Sequence, residues 1–264
     1  MSPLRVCGFA ILSALGVTAA LAQSEIRDHE IHKAHHFSVK GSKALRAGNY
    51  GAARPMFQKA LEAVPAFPDA HMGLGHLALR DRSYERALTA FRAAEDGYVR
   101  LADAMFRRKS VEYDEARERI RNLRQELVEL RARGNRTGSA ENEPALAMMR
   151  VEQAIAQLEL IKRPEPGETE IVPAEVSFFV GNALMHLGRH DEAIDAWRVT
   201  VRRKPGFAPA YNNLAVAFWK RGRVAQARAC VTRAEALGIA PNPDFKKDLE
   251  RAGPGDQRTP TTCP

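Results

Sequence analysis

Apolar positions recur along this chain at helical spacing, and that pattern itself repeats every 34 residues. Tyr50, Ala53, Phe57 and Ala60 return as Tyr84, Ala87, Phe91 and Ala94; Gly188, Ala193 and Pro205 return as Gly222, Ala227 and Ile239. Within one period Phe37, Gly41 and Leu45 mark one side of a first helix, and Ala47-Gly48-Asn49 marks a turn. Ala53, Phe57, Ala60 and Leu61 then mark a second helix, closed by Pro65. Glycine accepts the left-handed backbone of a helix end at little cost, and proline cannot continue a helical hydrogen-bond ladder. Two antiparallel helices per period follow. Small residues at 41 and 53 let them approach, and Phe57 fills the gap toward the next pair. A period of this length predicts an all-α solenoid of helical hairpins that share a core.

Four copies are present. The second repeats the scheme with Leu74, Gly75, Tyr84, Ala87, Phe91 and Ala94, with Arg82 in place of the turn glycine. The third has Val180-Gly181, Leu184, Gly188, Glu192-Ala193, Trp197 and Pro205. The fourth has Tyr211, Leu214-Ala215, Phe218, Gly222, Ala227, Val231 and Ala234, and ends at Ile239 where the others favour Pro. This pattern resembles the tetratricopeptide repeat, whose signature is an aromatic, a Leu-Gly pair, a Tyr, then Ala, Phe and Pro; the match covers about half the chain.

The resemblance implies a non-enzymatic scaffold that binds a protein or peptide on the concave surface lined by each first helix. The matching positions are Met72, His76 and Arg80, then Phe178, Asn182 and His186, then Asn212, Val216 and Lys220. Asparagine amides suit an extended peptide backbone, Arg80 and Lys220 suit a carboxylate, and Phe178 adds apolar area. Family members that grip a C-terminal carboxylate carry Lys and Asn four apart in their first repeat. Ser38 and Ser42 stand there instead, which argues against that specificity.

The repeat phase breaks between the second and third copies: Ala87 and Ala193 lie 106 residues apart. Residues 98–133 contain neither Gly nor Pro. One long helix is expected, with a coiled-coil seam of Phe106, Tyr113, Ala116, Ile120, Leu123, Leu127 and Leu130. A polar turn over 134–143, Pro144 in a helical first turn, and a second seam of Met148, Val151, Ile155 and Leu158 complete an inserted hairpin. The two seams are expected to cover each other in antiparallel fashion. The alternative is a homo-oligomer held by the longer seam. The resulting order is repeats over 35–98, insert over 99–163, Pro- and Glu-rich linker over 164–173, repeats over 174–239, capping helix over 240–252 and a disordered tail over 253–264.

Residues 1–22 read as a cleavable export signal, with Arg5, an uncharged apolar stretch and Ala20-Leu21-Ala22 as a small-x-small site. The apolar stretch falls short of the ~20 residues that span a bilayer, so no retained transmembrane helix is expected. The protein would then act in the periplasm or outside the cell. Beyond the signal stand two cysteines, Cys230 and Cys263, too few for a disulfide-built scaffold. A bridge is open to them, although Cys230, beside Ala227 and Val231, suits a small buried apolar position better.

Charge and histidines add two further hypotheses. The chain carries net +8, and residues 198–233 hold nine Lys or Arg and no Asp or Glu. Such a region attracts polyanions, which for an exported protein means an anionic envelope polymer, phospholipid head groups or an acidic protein rather than nucleic acid. Arg202, Arg203, Lys220 and Arg223 are its candidate ligands. In the His-rich segment 23–34 and just beyond it, His29, His32 and His36 have a spacing able to chelate a transition metal. No nucleophile elbow, phosphate loop or paired-Cys ligand set suggests catalysis, and no cofactor is expected.

Overall fold

The fold is given by a computed structural model that describes residues 28–137, 143–165, 172–252 and 262–264. The expected signal sequence, much of the linker and residues 253–261 of the tail lie outside these. Among the described residues there are ten helices and no strand: α1 (Asp28–Arg46), α2 (Tyr50–Ala63), α3 (Pro68–Arg80), α4 (Tyr84–Thr137), α5 (Glu143–Leu158), α6 (Ala174–His186), α7 (His190–Arg203), α8 (Ala208–Lys220), α9 (Val224–Ala236) and α10 (Pro243–Arg251). Local chemistry sets several boundaries. The Asn49 side chain accepts from the Ala52 amide at 3.1 Å to start α2, Pro68 opens α3, and the Asn242 side chain accepts from the amides of Asp244 and Phe245 to start α10.

Two compact units emerge. One comprises residues 1–97 and 173–264; the other comprises residues 98–172. The repeat unit pairs α1 with α2, α3 with the start of α4, α6 with α7, and α8 with α9. Its core runs through large second-helix side chains: Phe57, Phe91 and Trp197 are fully or almost fully buried. They fit because the facing first helices carry glycine. A β-carbon at Gly41 would stand 2.7 Å from the Phe57 ring, one at Gly73 2.1 Å from the same ring, and one at Gly181 2.4 Å from Trp197. Phe57 therefore inserts between the first helix of its own repeat and that of the next.

Repeats 2 and 3 stack on each other although the insert separates them in sequence. Ala78, Leu88 and Phe91 share one core cluster with Val180, Leu184 and Trp197. A polar bridge crosses the same junction: Arg203 Nη1 donates to Ser177 Oγ at 2.8 Å, and Ser177 and Arg203 both reach Glu95 at 3.5 Å. Ser177 is 3% exposed, so its hydroxyl needs these partners.

The insert is an antiparallel hairpin. Leu123 and Leu127 of α4 pack with Val151 and Ile155 of α5, flanked by Ile120, Leu130, Met148 and Leu158. Arg124 pairs with Glu159 at 2.8 Å and Arg131 with Glu152 at 3.0 Å, in the same register. The seams thus cover each other, as expected. The long helix differs from the expectation in its start: it does not begin at 98 but runs unbroken for 54 residues from Tyr84. Gly97 does not end it, because that glycine serves a close approach, where a β-carbon would lie 2.4 Å from the Ala66 carbonyl oxygen.

Two further expectations change. Cys230 is fully buried, yet it is not a free thiol: it forms a disulfide with Cys263. The end of the tail is correspondingly held on the core, where Cys263 is partly buried, instead of being disordered to its last residue. At the turns, Gly48, Gly188 and Gly222 adopt positive φ, and Arg82 does the same at φ 54°. The turn is dictated by the hairpin and is made without glycine.

Candidate functional site

Each first helix ends on a basic residue or histidine, Arg46, Arg80, His186 or Lys220, and presents the positions singled out for binding. His76 is half-buried in an aromatic slot, its ring 5.5 Å from Phe91 and 4.3 Å from Phe179. Burial there lowers its pKa below the ordinary 6.5, because the imidazolium loses hydration. Phe178 packs edge-on against Phe179 and Phe207 at 5.2 and 5.0 Å, while its carbonyl accepts from Trp197 Nε1 at 3.1 Å. Met72 lies against the same core cluster, and Val216 is half-buried.

The amides form the polar centre. Asn213 Nδ2 donates to Asn182 Oδ1 at 2.8 Å, tying α8 to α6 and leaving the Asn182 amide hydrogens for another acceptor. The Asn212 side-chain oxygen is buried without a hydrogen-bond partner among the described residues. Arg80 lies 3.7 Å over the Tyr50 ring and reaches Asp81 at 3.2 Å, and the His186 ring stacks on Tyr84 at 4.4 Å. Lys220 is exposed. Ser38 is buried with an unpartnered hydroxyl among the described residues, and Ser42 is half-buried. Sequence reasoning missed Phe179 and Asn213. The Phe178-Phe179 and Asn212-Asn213 doublets were the available signal, since adjacent helical residues point about 100° apart and the second of each pair can meet a neighbouring helix.

The structure divides the anionic-ligand candidates. Arg202 and Arg203 lie at the end of α7, whereas Lys220 and Arg223 lie at the far end of α8, a 13-residue helix about 20 Å long. Arg203 is committed to Ser177 and Glu95. Elsewhere in the basic run, Arg198 pairs with Asp195, Lys204 with Glu175 and Arg221 with Asp191; Arg228 donates to the carbonyls of Leu249 and Ala252. Acids from other elements thus pair with three of the nine basic residues, Arg203, Lys204 and Arg221. Glu175 has its pKa lowered, chiefly by the hydrogen bond from Lys204.

His29, His32 and His36 are exposed along α1. Among the described residues no three His, Cys, Asp or Glu side chains are grouped to hold a metal ion. Also among the described residues, no helix is long and apolar enough to cross a membrane.

Helical hairpins stacked through a shared core define a helical-repeat protein. The tetratricopeptide repeat family model matches residues 39–99, 145–206 and 181–242, and the chain belongs to that family. Proteins of this family are typically non-enzymatic scaffolds for protein–protein interaction. No curated protein matches the chain. Among solved structures the chain is similar to MamA, at 19% identity over 83% of this chain and 97% of that one, with a TM-score of 0.31. It is similar to TTC0263, a tetratricopeptide repeat protein of Thermus thermophilus, at 16% identity over 82% and 97%, with a TM-score of 0.35. YrrB, described as having an unusual peptide-binding site, is 17% identical over 89% and 97%, with a TM-score of 0.32. Likenesses this loose carry nothing further about this chain.

Proposed function

We propose that the protein is a non-enzymatic scaffold of the cell envelope or extracellular space, which holds an extended peptide of a partner protein on the first-helix face of its repeats. The observation that carries this reading is the juxtaposition of Asn182, bonded to Asn213, with half-buried Phe178. Amide donors beside apolar area suit a peptide backbone and one of its side chains. Export is supported by the signal-like segment 1–22 and by the Cys230–Cys263 bond, since disulfides persist in oxidising compartments.

A photo-crosslinking amino acid at Asn182, and separately at Asn212, tests the groove in the full-length protein in cells. The same discrete protein attached at both sites is expected, and its loss when Phe178→Ala is added ties capture to the groove. Absence of any adduct at either site overturns the reading. Fractionation with N-terminal sequencing tests location independently: an extracytoplasmic product beginning at Gln23 is expected, and a cytoplasmic product retaining residues 1–22 rejects export.

A further inference from the structure

The turns joining the two helices of each repeat abut along one edge of the repeat unit. Between repeats 1 and 2, Arg80 stacks over Tyr50 and Arg54 pairs with Asp81 at 2.7 Å. Between repeats 2 and 3, His186 stacks on Tyr84 and Arg92 reaches Glu192 at 3.7 Å. Between repeats 3 and 4, Arg221 pairs with Asp191 at 2.7 Å. One contact of this kind at every junction makes the edge continuous.

That edge is strongly cationic. Turn segments 46–50, 80–84, 186–190 and 220–224 together hold seven Lys or Arg and one acid, Asp81. Asp81 is held by Arg54 and Arg80, Asp191 by Arg221, and Glu192 by Arg189 at 2.6 Å; Glu85, just past the second turn, acts on Arg189. The side chains of Arg46, Arg82, Lys220 and Arg223 have no charged or hydrogen-bonding partner among the described residues. A basic residue closing a helix complements its dipole, which accounts for Arg46 and Lys220. It does not account for Arg82 and Arg223, which lie in the turns beyond the helix ends.

The amides at the centre of each turn are already committed. Turn amides of Gly48, Arg82, Gly188 and Gly222 are bonded to the carbonyls of Leu45, Leu79, Met185 and Trp219. The next amides, of Asn49, Ser83, Arg189 and Arg223, are bonded to Ala44, Ala78, Leu184 and Phe218. All eight are spent inside the fold, so anion binding by these turn residues falls to their side chains. What remains is side-chain charge, distributed one or two groups per turn and mostly guanidinium, the group that meets a carboxylate in a fork.

We propose that this edge docks an acidic, extended segment of a partner protein, with carboxylates distributed along several turns. The edge adjoins the first-helix groove and shares Arg80, His186 and Lys220 with it, but its test alters none of these three and does not depend on that reading. The probe is fluorescent poly-L-glutamate, titrated against the full chain at low salt, with inorganic polyphosphate alongside. The variant Arg46→Gln/Arg82→Gln/Arg223→Gln spares Lys220, which belongs to the groove. It should bind polyglutamate roughly tenfold or more weakly, the scale of several modest exposed pairs lost together. Arg100→Gln/Arg107→Gln/Lys109→Gln removes equal charge from the insert and should stay within about twofold of the unaltered protein. Asn182→Ala/Asn212→Ala should leave polyglutamate binding unchanged, so that failure at the edge and failure at the groove are distinct. Equal weakening by the insert variant, loss through the groove variant, tighter binding of polyphosphate than polyglutamate, or no binding by the unaltered protein each overturns the proposal. If circular dichroism shows the edge variant misfolded, Arg46→Gln/Arg82→Gly/Arg223→Gln removes the same charge with a residue suited to the turn.

Discussion

Gly73 shows how much one missing β-carbon controls in this fold. Its neighbour Phe57 belongs to the preceding repeat and occupies the space a side chain would need. Gly73→Ala should therefore destabilise the protein by about 1–3 kcal/mol, the usual cost of overpacking, read as a lower thermal midpoint by circular dichroism. The role of Gly41 was legible because Phe57 follows it within the same hairpin; that of Gly73 was not, because its contact crosses between repeats. His76 is the second informative residue. Its folded pKa lies below 6.5, so the unfolded chain binds the proton more readily. The stability it confers is complete above about 6.5 and is lost as pH falls through that value toward the folded pKa. Thermal midpoints at pH 7.5 and 5.0 should fall further for the unaltered protein than for His76→Phe; equal falls would remove His76 from the pH response.

At the scale of elements, the hairpin period predicted the repeat helices and their partners, and the uninterrupted run after Tyr98 predicted the long helix. The start of that helix was misplaced because Gly97 reads as punctuation in sequence, while in the fold its bare Cα faces the Ala66 carbonyl. The groove was legible as a set of positions, but the pairing of Asn182 with Asn213 was not, since their register depends on how α6 and α8 settle together. The junction between repeats 2 and 3 has its own apolar core and the Glu95–Ser177–Arg203 bridge. Replacing residues 98–172 with a short Gly-Ser linker should accordingly leave a cooperatively unfolding repeat unit with near-unchanged mean residue ellipticity per helical residue. Broad, non-cooperative melting would mean that the repeats depend on the insert.

For the whole molecule, the Cys230–Cys263 bond closes the C-terminal end, where α10 also sits: Phe245 lies 6.2 Å from Trp219, and Arg228 satisfies carbonyls at the end of α10. Sequence alone left this pairing open because nothing in the residues after α10 says where Cys263 returns. The sequence separation is 33 residues, for which chain-entropy reasoning gives about 3–4 kcal/mol of stabilisation. Reduction, or Cys263→Ser, should lower the midpoint by several degrees, and intact mass under non-reducing conditions should show both thiols oxidised. The looped-out insert carries a different consequence, for the order of folding. Repeats that follow one another directly need only a few residues of chain to meet, whereas Glu95 and Ser177 must find each other across the insert. For a flexible chain, closing some 75 residues instead of four costs about 2–3 kcal/mol more. A hairpin of α4 and α5 that zips first draws the two halves together and removes much of that cost. The insert would thus set the tempo at which the two pairs of repeats become one array: quick when its own helices have already met, slow when they have not.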